Sequence, residues 1–151
     1  MKYIIAILFF IFSCKTELDN NLKNSILKIL AENQKVHELL ISQTESLPEV
    51  NLLLASIKEA KSLAEKNEGI KKDLEKMELL ISNINLKDQE AFFESLSSFS
   101  ETLTDILKVN NIQTEYNKFY CPMVSKYWVA KGDVIQNPYA SDMRECGELV
   151  K

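Results

Sequence analysis

The sequence predicts an all-α fold, an up-and-down helical bundle of three to four helices with an irregular Cys/Met/aromatic C-terminal cap. From Leu22 to Leu107 the apolar residues recur at intervals of three and four, the spacing that gathers them on one face of a helix. Capping and breaking residues divide that stretch into helix-length pieces. After Asn111 the texture changes. Tyr116, Phe119, Tyr120, Tyr127, Trp128 and Tyr139 crowd into a segment that holds two of the three prolines and no long helical period.

The first helix is expected over about 20–43, with Leu22, Ile26, Ile29, Leu30, Val36 and Leu40 inward. Ser46 has the chemistry of an N-cap, and Pro48 is tolerated in a first turn, so a second helix is expected over about 47–66. It carries Val50, Leu53, Leu54, Ile57, Ala60 and Leu63, and breaks at Asn67-Glu68-Gly69. A third, about 70–84, carries Leu74, Met77, Leu80, Ile81 and Ile84. The alternative is one long helix kinked at Gly69, which reduces the count to three. Asp88 caps a fourth, with Phe92, Phe93, Leu96, Phe99, Leu103, Ile106 and Leu107 as core, and Asn110-Asn111 ends it. Amphipathic helices joined by short turns bury their stripes most simply by packing antiparallel.

Ahead of the helices stand Lys2, an apolar run from Tyr3 to Phe12, Ser13 and Cys14. This is the layout of a signal peptide, and the run is about half the ~20 residues that a membrane-crossing helix needs. Ile11-Phe12-Ser13-Cys14 resembles a lipobox, which implies lipidation of Cys14 and cleavage before it. An acyl chain contributes about 0.8 kcal/mol per buried methylene, so an acylated cysteine anchors the chain with no inserted helix. The expected organisation is a signal peptide at 1–13, a lipidated tether at 14–20 and a helical domain at 21–151 whose terminal motif begins near 112. The location implied is the cell envelope, facing the periplasm. Lys15, where some bacteria use aspartate as a sorting mark, leans toward the outer membrane.

At 151 residues the chain has the size of one domain with one adequate core. Its net charge is −4 with no Lys/Arg cluster, which argues against nucleic acid as a partner. No Ser/His/Asp set, glycine-rich phosphate loop or Cys-x-x-Cys pair is present, so a non-enzyme is expected.

With Cys14 assigned to lipid, Cys121 and Cys146 remain as an even pair in a compartment that permits disulfides. Each has a methionine close by: Met123 two residues after Cys121, and Met143 three before Cys146. Thiolate and thioether sulfurs select soft ions such as Cu(I). A Cys121–Cys146 disulfide would instead close a loop of about 26 residues and stabilise by roughly 3–4 kcal/mol, leaving both methionines as packing. Spacing alone favours the disulfide. His37, the single histidine, is a candidate extra ligand, although its place at the edge of the first stripe suits a flank or surface residue better. Trp128 suits an anchor for the tail.

The ordered pattern Cys121-Pro122-Met123, Trp128, Asn137-Pro138-Tyr139, then Met143-x-x-Cys146-Gly147-Glu148 resembles an uncharacterised helical domain of bacterial lipoproteins. That domain is also appended to periplasmic adaptor subunits of copper and silver efflux pumps. Phe93-Glu94-Ser95-Leu96-Ser97 looks like the Phe-x-x-Leu-Ser on its preceding helix. The resemblance implies a soft-metal role, with Cys121, Met123, Met143 and Cys146 as ligands for Cu(I). Pro122, Trp128, Asn137, Pro138, Tyr139 and Gly147 support the motif, and metal-efflux components are implied as partners. It tips the expectation toward a membrane-anchored copper-binding protein accessory to efflux or buffering. The alternative is a non-metal interaction bundle whose tail is held by the disulfide.

Overall fold

The computed structural model describes residues 18–42 and 46–150. The signal segment, Cys14 and the first part of the tether lie outside the described residues. Four helices form: α1 (Asn20–Ser42), α2 (Asn51–Leu63), α3 (Glu68–Ser82) and α4 (Gln89–Val109). Among the described residues no helix is long and apolar enough to cross a membrane.

Each helix follows its stripe. In α1, Leu22, Ile26, Ile29, Leu30, Val36 and Leu40 are buried, and in α4 Phe92, Leu96, Phe99, Leu103 and Ile106 are buried. Asp88 caps α4 as expected, its Oδ1 accepting from the Ala91 N–H at 3.1 Å. At the other end Asn111 takes a left-handed conformation, φ 52°, one that asparagine tolerates better than most residues. The Ile112 N–H then bonds back to the Leu107 carbonyl at 2.9 Å.

The bounds of α2 and α3 differ from the expected 47–66 and 70–84. Ser46 caps nothing, because α2 starts at Asn51 and not near Leu47, and its flanking residue Val50 makes no side-chain cap. Residues 46–50 run as a linker in which Pro48 and Val50 are buried while Ser46 and Glu49 are exposed, so apolar burial there is met by non-helical chain. Asn67 caps α3 by accepting from the Ile70 N–H at 3.1 Å. Residues 64–67 break the chain between α2 and α3, so a single long kinked helix is excluded.

The largest correction concerns the tail. It is not an irregular cap on an all-α protein but a three-stranded antiparallel sheet, which makes the fold a mixed one of helices and sheet. β1 (Tyr116–Cys121), β2 (Lys126–Lys131) and β3 (Glu148–Val150) lie in the order β2-β1-β3. β1 and β2 pair as a hairpin, Phe119 opposite Trp128 and Cys121 opposite Lys126, and β3 pairs with β1 through Phe119 and Leu149. The aromatic and β-branched residues read as loop material are strand formers that pack across the pleat. Phe119 stacks on Trp128 with ring centroids 5.4 Å apart, and on the opposite face Tyr120 meets Tyr127 at 4.6 Å.

The helices pack in sequence, α1 on α2, α2 on α3 and α3 on α4, and β2 then lies against both α4 and α1. Val129 joins the helical core, while Trp128 and Ala130 belong with Phe119 and Cys121 to a second, smaller core on the sheet. The outer edge of β2, which has no strand neighbour, is covered by helix side chains. The Tyr127 N–H donates to Ser97 Oγ, Asn33 Nδ2 donates to the Val129 carbonyl, and the Lys131 N–H donates to Gln34 Oε1, each at 2.9 Å. An edge satisfied in this way offers no template to another chain. At the start of β2 the buried Lys126 ammonium reaches Glu90 and Glu94 of α4, both at 2.7 Å. Burial opposes its charge, and the two carboxylates more than offset this, holding the ammonium above its ordinary value.

Candidate functional site

The two tail cysteines come together because strand pairing and one asparagine bring their segments side by side. Cys121 is the last residue of β1 and fully buried. Its partner lies in a turn that follows Asn137. The Asn137 N–H donates to the Arg144 carbonyl at 2.7 Å, and its side-chain Nδ2 donates to the Cys146 carbonyl at 3.2 Å. Its Oδ1 accepts from the Tyr139 N–H at 2.9 Å, a local turn across Pro138. Asn137 is itself wholly buried, so each of these bonds replaces one that water would otherwise make. The Cys146 N–H then closes a turn onto the Met143 carbonyl at 2.9 Å.

Within that frame Cys121 and Cys146 form a disulfide, their Cα atoms 5.7 Å apart. The sulfur set expected to act together is divided by this bond. Met123 sits on the hairpin loop with 72% of its surface exposed. Met143 lines a groove of about 670 Å³ with Leu40, Phe93, Tyr139 and Arg144. Among the described residues no three His, Cys, Asp or Glu side chains gather as a cation-binding group. In the disulfide form neither cysteine is a thiolate, so the set does not fit a Cu(I) ion as it stands. Two-electron reduction of the bond would be required first.

The remaining motif residues have structural work to do. Tyr139 is partly buried, and its hydroxyl donates to the Tyr127 carbonyl at 2.8 Å, with the enclosure of the phenol group holding it far above its ordinary pKa. Gly147 passes so close to the indole that a Cβ there would lie 2.5 Å from Trp128 Cη2. Trp128, 2% exposed, belongs to the small core on the sheet with Phe119, Cys121 and Ala130, and not to the helical core. Pro122 opens the four-residue loop of the hairpin, which Ser125 closes with φ 54°.

His37 is neither a flank nor a surface residue. It is 5% exposed, and its Nε2 meets the Gln136 carbonyl at 2.8 Å, tying the segment after β2 to α1. Its pKa is lowered, chiefly because burial penalises the charged form. Arg144 makes a second tie. Its guanidinium donates to the Asn137 carbonyl at 2.8 Å and to the Leu40 carbonyl, in the last turn of α1, at 3.0 Å. Asn33, Gln34, His37 and Leu40 thus form one face of α1 that holds the tail, the first three through its main chain and Leu40 through the Arg144 side chain. Sequence reasoning missed Asn33, Gln34 and Arg144. The one available signal was two adjacent amides at the border of an apolar stripe.

Comparison of the chain with family models, with curated proteins and with solved structures finds no match.

Proposed function

We propose that this chain is a non-enzymatic interaction domain of the cell envelope, tethered through a lipid on Cys14, in which a disulfide holds a small sheet against a helical bundle. The observation that carries the reading is the Cys121–Cys146 bond, closed within a frame built by the buried Asn137 and the partly buried Tyr139 and Gly147. A disulfide of this kind suits a compartment outside the cytoplasm. The Cys14 tether accounts for membrane attachment without an inserted helix.

The soft-metal reading is kept for the reduced chain. Met143 and Cys146 share one backbone turn, and the disulfide joins that turn to Cys121, so reduction would free two thiols, one of them three residues from a thioether. Copper buffering or delivery to efflux components is then a function of redox state.

One experiment separates the two. The protein is produced in an oxidising compartment, its free thiols are counted by mass spectrometry, and Cu(I) is titrated against a chromogenic competitor before and after reduction. The interaction domain predicts no free tail thiol and no competition for Cu(I) in either state. Competition after reduction that Met143→Ala weakens establishes the metal reading instead.

A further inference from the structure

Where α1 meets β2, two buried polar atoms have no hydrogen-bond partner among the described residues, Nδ1 of His37 and Nε1 of Trp128. Their roles are opposite. His37 Nε2 faces the Gln136 carbonyl at 2.8 Å, and a carbonyl can only accept, so Nε2 carries the hydrogen and Nδ1 is left as a bare acceptor. The indole N–H of Trp128 can only donate. Both side chains line the same small pocket, with Asn33, Ser100, Val129 and Tyr139. The pocket leaves about 10 Å³ for the centre of a water-sized sphere, close to the smallest space that holds one water.

A molecule filling this seat must donate to one side and accept from the other. An apolar group would satisfy neither atom. A cation would be repelled by the indole N–H. We propose that the pocket is an internal hydration site, in which one water donates to His37 Nδ1, accepts from Trp128 Nε1, and so joins α1 to β2. Tyr139 fits as a further neighbour. Its hydroxyl hydrogen goes to the Tyr127 carbonyl and its oxygen faces the Ser100 hydroxyl, so it lines the seat while the two orphaned nitrogens set the water's bonds. The site requires a neutral His37, which burial and the nearby Arg144 guanidinium both favour, against the Gln136 carbonyl and the Glu38 carboxylate, which favour the charged form.

The chain has one tryptophan and one histidine, so each atom gives a single assignable signal. On the ¹⁵N-labelled protein with its disulfide intact, water-to-protein cross-relaxation should give a cross-peak at the Trp128 indole proton whose sign marks a residence longer than nanoseconds. The His37 nitrogen shifts should show a bare Nδ1 and a protonated Nε2. A crystal structure should place one density peak about 2.7–3.2 Å from both atoms. Trp128→Phe should abolish that peak while His37 keeps its bond to Gln136. If this variant does not fold, the wild-type spectra and crystal decide. Absence of a long-lived water at the indole, a protonated Nδ1, or a peak bonded to one atom alone would overturn the proposal.

Discussion

Along α4 the buried positions fall three and four apart, from Phe92 through Leu96, Phe99 and Leu103 to Ile106, whereas along β2 three successive residues, Trp128, Val129 and Ala130, are buried together. The helix touches the core on one side. The strand stands between two cores, one made by the helices and one made by the sheet. The difference extends to what secures each region. The helices are held by apolar area removed from water, and the tail by a small aromatic core, by polar side chains of α1 and α4 that bond its main chain, and by one covalent bond. A period in the sequence reports the first kind of holding and says little of the second.

Substitutions at graded sites test this contrast. The largest effect is expected from Phe99→Ala, since Phe99 is fully buried within the helical core. It should cost about 3–5 kcal/mol and lower the denaturant midpoint of helix and sheet together. Reducing the disulfide, or replacing Cys121 and Cys146 by Ser, should cost roughly 3–4 kcal/mol on the loop-closure estimate. Its mark is regional. Amide exchange should accelerate across β3 and residues 133–147 while α2 and α3 stay protected, and uniform acceleration would mean that the tail is integral to the bundle.

Gly147→Ala should cost about 1–3 kcal/mol, because the new Cβ meets the Trp128 ring, and near-ultraviolet circular dichroism should register the displaced indole. Acid should act through His37. Its folded pKa lies below its unfolded value, so the unfolded chain takes the proton first as pH falls below about 6.5. Stability should decline from there until the folded histidine is protonated too, and His37→Gln should flatten that portion of the stability profile. Met123→Ala should have the smallest effect, within about 0.5 kcal/mol, because the side chain is mostly exposed. A larger loss would place Met123 in contacts that the hairpin loop does not show.

Much of the bundle was legible. Leu22, Ile26, Ile29 and Leu30 are buried as their spacing requires, and Asp88 caps where a short acceptor precedes an apolar run. The start of α2 was not legible, since Ser46 and Pro48 carry helix-start chemistry whether or not Pro48 and Val50 find better burial in non-helical chain. The sheet was hidden for a different reason. β2 is covered on both sides, so it shows no alternation between polar and apolar residues, and β3 is only three residues long. In the candidate site, the pairing of Cys121 with Cys146 was one of two open readings. That Asn137, Tyr139 and Gly147 would brace it could not be read from order alone.

What the sequence by itself determined is the run of amphipathic helices and the stripes they bury, because helical periodicity and capping are interactions between residues three or four apart; whether 47–84 held two helices or one kinked at Gly69 it left open. Tertiary structure decided the rest: that β2 lies against both α4 and α1, that His37 is buried and Met123 exposed, and that two sulfurs 25 positions apart share a bond. Those outcomes depend on which surfaces remain uncovered once the helices have packed, and no local spacing encodes that.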